Sequence, residues 1–216
     1  MSEWWSYRPE DMLLFSPRVY WRMFELHNAA IWPLQLVALA SGIVMVILAT
    51  KRPPRGERWI AFMLAVIWLF VGWAFLWHRY ATINWAIRYI APLFALQSLL
   101  LLIACVAPQV LLFDRRGIGK WSGSTLAGIA LFLYPLLPLT FAANREQAEI
   151  FGIAPDPTAI GTLGLLLMAR GKLRKFLLPV PIIWCLISGL TLWTMEDPRA
   201  LLPIAAVALT LAVGVW

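Results

Sequence analysis

The chain has 216 residues, of which 62% are hydrophobic and 13% charged, and its formal net charge is +7. A water-soluble domain has about a quarter of its residues charged, so this composition excludes an ordinary soluble protein and indicates a chain that lies in a lipid bilayer. The basic residues occupy short gaps between apolar stretches, where they are typical of membrane topology, and we expect no nucleic-acid partner.

Residues 1–28 are predicted to form an amphipathic segment that precedes a transmembrane helical domain, 29–216. Apolar residues recur here at helical spacing, and charged residues follow the same spacing one position earlier. The apolar set is Val19, Met23 and Leu26, and the charged set is Arg18, Arg22 and Glu25. Ser16 is a suitable N-cap, and Pro17 fits the first turn. The pattern favours a helix that lies in the membrane interface, packs on the helix bundle, or does both.

Seven apolar stretches follow, and a helix that crosses a bilayer needs about 20 predominantly apolar residues. The stretches are 29–50, 59–77, 89–113, 121–143, 157–169, 176–195 and 201–216. The fifth and the seventh are the shortest, at about 20 and 24 Å by the rise of an α-helix. We therefore predict an all-α, polytopic bundle of about seven transmembrane helices.

The basic residues also predict the orientation of these helices. Of the 18 Lys and Arg residues, 11 lie in the gaps 51–58, 114–120 and 170–175, and 7 lie on the opposite side. Cytoplasmic loops are enriched in Lys and Arg, so the N-terminus is expected outside and the C-terminus in the cytoplasm. Tryptophans near both ends of the stretches indicate contact with lipid headgroups; they are Trp59, Trp121, Trp77, Trp85 and Trp193.

The fifth stretch is preceded by a break at Pro155-Asp156-Pro157, where two prolines exclude a continuous helix. One interpretation is a discontinuous helix whose free N-terminus faces a cavity, with Asp156 on a solute path. The alternative is that Asp156 is simply the N-cap of the fifth span, with 150–154 as a loop packed at the outer surface.

Titratable residues concentrate on the predicted outer side. The candidates for lining a solute path are Asp156, Glu149, His27, His78 and Glu25. Histidine and carboxylate groups together can bind a transition metal or relay protons. However, Glu25 and His27 are two residues apart, which places their side chains on different faces of a helix. Because catalytic and metal-binding motifs are also missing, we expect no metal, no cofactor and no identifiable catalytic residue.

The residues leave three classes of function open. Transport or permeation of a small solute is favoured by the broken fifth span and the outer titratable groups. A membrane-embedded enzyme that acts on lipid would use the same groups as acid, base or metal ligands, and an accessory subunit would stabilise a larger membrane complex. No charged residue falls at the centre of a long predicted span, which argues against proton- or ion-coupled transport.

Two segments resemble a known family. Residues 16–33, SPRVYWRMFELHNAAIWP, are similar to the opening of an uncharacterised bacterial family of small multi-pass membrane proteins. Residues 151–161, FGIAPDPTAIG, are similar to that family's second recurring segment. The resemblance runs over most of the chain and implies a multi-pass protein of the bacterial inner (plasma) membrane. Members are loosely called transporter permeases, which implies transport without naming a solute.

Overall fold

The computed structural model of the protein describes residues 13–107, 110–113, 117–140 and 144–214. These residues are mainly helical, and the one β-type pairing among them joins Leu112 to Arg170. The all-α prediction is therefore confirmed for the described part of the chain.

Eight helices make up most of the described residues. They are α1 (Pro17–Ala30), α2 (Leu34–Lys51), α3 (Gly56–Phe70), α4 (Ile87–Val106), α5 (Ile118–Gly128), α6 (Pro155–Met168), α7 (Pro179–Thr194) and α8 (Leu201–Gly214). Three are extended by a further helical segment, namely α3 by Val71–Trp77, α5 by Ile129–Leu133 and α7 by the preceding turn Arg174–Leu177. The predicted start of α1 is confirmed, because the Ser16 hydroxyl accepts a hydrogen bond from the backbone N–H of Val19 (3.4 Å).

Each of the seven apolar stretches contains one helix, and five helical segments are long and apolar enough to cross a membrane. The five are Leu34–Lys51, Gly56–Thr82, Ile87–Val106, Ile118–Leu139 and Arg174–Thr194. The other two, α6 and α8, have 14 residues each, which corresponds to about 21 Å. The fold is thus that of a multi-pass membrane protein with at least five candidate spans.

Helix α4, which corresponds to the third apolar stretch, is shorter than predicted. It ends at Val106, whereas the apolar stretch continues to residue 113. Beyond the helix, Leu112 exchanges two backbone hydrogen bonds with Arg170, at 2.8 and 2.7 Å. The last part of the stretch is therefore a connector, and apolar character alone does not distinguish a buried connector from the last turns of a helix.

The first span begins later than predicted, at Leu34 instead of residue 29. The turn over 31–33 separates it from α1 and ends in Pro33, which has no N–H to donate to a helix. The predicted elements and gaps also include segments that lie outside the described residues, namely 1–12, 108–109, 114–116, 141–143 and 215–216.

The helices after α1 run alternately between two ends of the bundle. The α1 end contains the start of α2, the end of α7 and the start of α8, and the basic end contains the gaps 51–58 and 170–175. Exposed tryptophans lie near both ends, with Trp77, Trp85 and Trp193 near the α1 end and Trp59 and Trp121 near the basic end. Contact of these rings with the headgroup layers stays a prediction.

The short helix α6 is enclosed by the rest of the bundle, since all 14 of its residues are buried. Small residues allow the close packing. A side-chain carbon added to Gly164 would lie 2.7 Å from both the backbone nitrogen of Ala127 and the backbone oxygen of Gly123. Gly164 therefore permits the close approach of α5 to α6, and any polar group on α6 is removed from both lipid and water.

Candidate functional site

The carboxylate of Asp156 is buried between α6 and α7. One oxygen accepts a hydrogen bond from the indole N–H of Trp184 (2.7 Å), and the other accepts one from the hydroxyl of Ser188 (2.5 Å). Trp184 and Ser188 are four residues apart on α7, so one face of that helix presents both donors. The two bonds therefore hold the carboxylate of Asp156 in a fixed position against α7.

Asp156 lies deep in the bundle. Its partner Ser188 is six residues from the end of α7 at Thr194, and Trp184 is ten residues from that end. At the helical rise these intervals are about 9 and 15 Å, in a helix about 24 Å long. Asp156 thus faces the middle of α7. Because it lies on a short helix that begins inside the bundle, the expectation that no charged residue falls at the centre of a long span does not cover this acid.

The interpretation of Asp156 as the N-cap of the fifth span is also wrong. Ala154 occupies the N-cap position, and Asp156 is the second residue of α6. The local hydrogen bonds at this helix start involve Thr158, whose hydroxyl accepts from the backbone N–H of Gly152 (2.8 Å) and donates to the backbone oxygen of Ala154 (2.7 Å). The Asp156 side chain is consequently available for α7.

The connector before α6 is buried, which contradicts the prediction of a loop at the outer surface. Phe151, Ile153 and Ala154 are each at most 2% exposed. The Phe151 ring packs against Gly42, which is eight residues, or about 12 Å, into α2. Gly152 has a φ of +80°, which favours glycine, and it packs against Ala38. The chain therefore enters the bundle as non-helical backbone. That the start of α6 faces a solute path stays a prediction.

Glu149 lies at the start of this buried connector and is itself only 3% exposed. Its Oε2 atom has no hydrogen-bond partner among the described residues. The negative charge of Asp156 and the positive charge of Arg199 both act on the Glu149 carboxylate. The two acids therefore interact electrostatically inside the α1 half of the bundle.

The positive charge near this acid pair comes from Arg199, just before α8. The guanidinium group is buried and binds Asp197 through two hydrogen bonds, Nε to Oδ1 at 2.8 Å and Nη2 to Oδ2 at 2.5 Å. Its central carbon also lies 3.5 Å from the ring centroid of Trp21, a cation–π contact that links α1 to the start of α8.

Helix α1 packs on the bundle through a face that includes only Met23 of the predicted apolar set. The buried face consists of Tyr20, Met23, Phe24 and His27. In contrast, Val19 and Leu26 are 44% and 47% exposed. Aromatic packing explains the difference, because the ring of Phe24 lies 4.9 Å from that of Phe75 and Tyr20 lies 5.7 Å from Tyr80.

His27 is on the buried face of α1 and is 2% exposed. Its ring lies edge-on to Phe75, with 5.1 Å between centroids. Burial, followed by the positive charge of Arg79, lowers the pKa of His27 from 6.5 to about 4, against the raising effect of a hydrogen bond with the Ile153 backbone. The imidazole is therefore neutral at pH 7, and its Nε2 atom has no partner within the described part of the chain.

A cavity of about 690 Å³ lies beside the exposed face of α1, and we call it the α1 cavity. It is lined by Arg18, Val19, Trp21, Arg22, Met23, Glu25, Leu26, His78, Arg79, Thr82, Ile83 and Gln147. The pKa of Glu25 is lowered, chiefly because Arg22 and Gln147 donate hydrogen bonds to its carboxylate. The cavity therefore combines three arginines and one acid with apolar side chains.

The structure separates the five predicted site residues into two groups. Asp156, Glu149 and His27 are buried, whereas Glu25 and His78 line the α1 cavity. Sequence reasoning missed the two donors to Asp156 and the nearby Arg199. Trp184 and Ser188 share one helical face, a signal that is present in the sequence, but nothing in the sequence identifies the helix that faces them.

Among the described residues, no three His, Cys, Asp or Glu side chains form a group that could hold a metal ion. In comparisons with known proteins, one family profile matches residues 17–215, and its description is "Family of unknown function (DUF6064)". No curated protein and no solved structure matches the chain.

Proposed function

Because the chain belongs to this family of unknown function, we propose its role from its geometry: it transports a small solute across a bacterial plasma membrane, with proton coupling through Asp156. In this proposal seven helices cross the membrane, with the N-terminus outside and the C-terminus in the cytoplasm. The α1 end is then external, and the basic end is cytoplasmic.

The seven-span topology is supported by the path of the chain around α6. This helix alone measures about 21 Å, less than the roughly 30 Å of a hydrocarbon core. The buried connector over 149–154 adds length at the α1 end. Non-helical backbone is tolerated at membrane depth only where protein or a water-filled cavity surrounds it, and here the bundle surrounds it.

The observation that carries the proposal is the position of Asp156. An ionisable side chain deep inside a membrane bundle is costly and commonly marks a path for solutes or protons. Discontinuous helices near the midplane are the usual place for such sites in transporters. The direct partners of Asp156, Trp184 and Ser188, are neutral donors, so the carboxylate can accept a proton without breaking a direct salt bridge.

The test is proton-coupled uptake into vesicles that contain purified protein and an internal pH-sensitive dye. A panel of small organic acids, amines and sugars is added in turn, and proton entry is recorded. We expect solute-dependent proton entry with the wild type and none with Asp156→Asn. Asparagine keeps the shape and can still accept from Trp184, so the variant should fold. The matched control is Glu146→Gln, an exposed acid on the connector before α6.

Two results would count against this function. Equal proton entry by the wild type and Asp156→Asn would remove Asp156 from the pathway. Solute and proton entry no faster than in protein-free vesicles, for every member of the panel, would reject transport in favour of a lipid-acting enzyme or an accessory subunit.

A further inference from the structure

Among the described residues that line it, the α1 cavity has more positive than negative side chains. Among its lining residues Glu25 is the one acid, and it is already bound by Arg22 at 2.5 Å and by the side-chain amide of Gln147 at 2.8 Å. Neither Arg18 nor Arg79 forms a salt bridge with a described acidic residue. Two guanidinium groups therefore border the cavity without a partner carboxylate in the described part of the chain.

The same cavity has an apolar wall. Val19 and Leu26 contribute exposed aliphatic side chains, and Met23, Trp21 and Ile83 add to them. A bare ion would gain nothing from such a wall, whereas an amphiphile with an anionic head would contact both surfaces. The volume of about 690 Å³ lies within the range of about 300 to 1,000 Å³ that is typical of small-molecule sites.

The position of the cavity favours a membrane lipid. Helix α1 precedes the first membrane-crossing helix and carries arginines beside exposed apolar residues, a pattern typical of helices at the membrane interface. Arginine binds phosphate oxygens through paired hydrogen bonds and is weakly hydrated, which suits it to this layer.

From these observations we propose that the α1 cavity binds the phosphate headgroup of an anionic membrane phospholipid, with Arg18 and Arg79 on the phosphate and Val19 and Leu26 along the glycerol and upper acyl region. A free phosphate ion has the same charged chemistry but lacks the apolar part. The site is distinct from Asp156, which does not line the cavity, so the proposal holds whether or not the protein transports a solute.

The test is calorimetric titration of delipidated full-length protein in neutral detergent. The probes are dihexanoyl phosphatidic acid, dihexanoylglycerol, which lacks the phosphate, and inorganic phosphate. We expect one phosphatidic acid site per chain. Both other probes should bind at least about tenfold more weakly, because dihexanoylglycerol lacks the phosphate and inorganic phosphate lacks the apolar part.

Variants separate the two halves of the site. Arg18→Gln combined with Arg79→Gln should weaken phosphatidic acid binding at least about tenfold, whereas Arg88→Gln, an exposed arginine at the same end that does not line the cavity, should leave it unchanged. Val19→Ser combined with Leu26→Ser should weaken lipid binding but not phosphate binding. If the double arginine variant does not fold, Arg18→Gln alone, at an exposed position, gives the same test.

Three outcomes would overturn the proposal. The first is equal binding of phosphatidic acid to the wild type and to the arginine variants. The second is equal binding of dihexanoylglycerol and phosphatidic acid, which would indicate a merely apolar groove. The third is inorganic phosphate that binds as tightly as the lipid and depends on the same arginines, which would assign the cavity to free phosphate.

Discussion

Protonation of His27 is the most direct test of how α1 packs on the bundle. The pKa of this imidazole is about 4 instead of 6.5, chiefly because the ring is buried. At about 1.36 kcal/mol per pH unit, the difference corresponds to about 3.4 kcal/mol that opposes charging in the folded state. We therefore expect His27 to stay neutral down to about pH 4, well below the ordinary range of histidine.

The measurement is a pH titration by NMR of protein with isotope-labelled histidine in micelles. The chain has only two histidines, so spectra of His78→Gln assign the remaining signal to His27. His78 lines the α1 cavity and is exposed. A His27 signal that titrates near 6.5 would refute both the burial of this face of α1 and its packing on Phe75.

The same shift predicts how stability depends on pH. The folded pKa of His27 lies below the unfolded value, so the unfolded chain binds more protons as the pH falls below 6.5. This group therefore costs stability from pH 6.5 downward, about 2 kcal/mol by pH 5, and the loss levels off below about pH 4. Other titratable groups also contribute to the pH dependence, so the quantity to measure is the difference in unfolding free energy between the wild type and His27→Gln.

Two further predictions concern the packing of α6. Gly164→Ala should lower the unfolding free energy by about 1–3 kcal/mol, because the new carbon would meet backbone atoms of α5 at 2.7 Å. In the control variant Gly128→Ala, nothing lies within 4 Å of the new carbon, so the unfolding free energy should rise by at most about 1 kcal/mol. Equal effects in a detergent denaturation series would contradict the close approach of the two helices. The Trp68 indole N–H donates a hydrogen bond to the Thr162 hydroxyl on α6 (3.0 Å). A double-mutant cycle with Trp68→Phe and Thr162→Val should give a coupling energy of about 0.6 to 1.7 kcal/mol for this bond. Additive effects of the two substitutions would refute the bond.

Helix positions could be predicted from the sequence because length and apolar character dominate in lipid. The inward faces could not, because lipid-facing and protein-facing side chains are equally apolar. Trp184 and Trp193 illustrate this point on α7. Trp184 is 2% exposed and donates to Asp156, whereas Trp193 is 62% exposed. Both tryptophans have apolar neighbours in the sequence, and the position of α6 decides which of them is buried.

The equal apolarity of lipid-facing and protein-facing side chains also explains why the surroundings of Asp156 and the inward face of α1 were not predicted. A Pro-Asp-Pro turn before a short apolar stretch is typical of a capped helix start, and hydropathy contains no information about a connector that enters the bundle. In α1 the aliphatic spacing of Val19, Met23 and Leu26 identifies an amphipathic helix, whereas the rings of Tyr20 and Phe24 make the aromatic contacts with the bundle. Candidate residues could thus be named from the sequence, but their partners required the fold.

The α1 cavity and the buried His27 are coupled through Arg79. This residue lines the cavity, and its positive charge is the second cause of the low pKa of His27. A phosphate group bound at Arg79 would offset that charge, so saturating dihexanoyl phosphatidic acid should raise the pKa of His27. Because burial is the larger cause, the pKa should remain below 6.5. Arg79→Gln should raise it in the same way and remove the response to lipid. A His27 titration that is identical with and without bound lipid would mean that the headgroup does not reach Arg79.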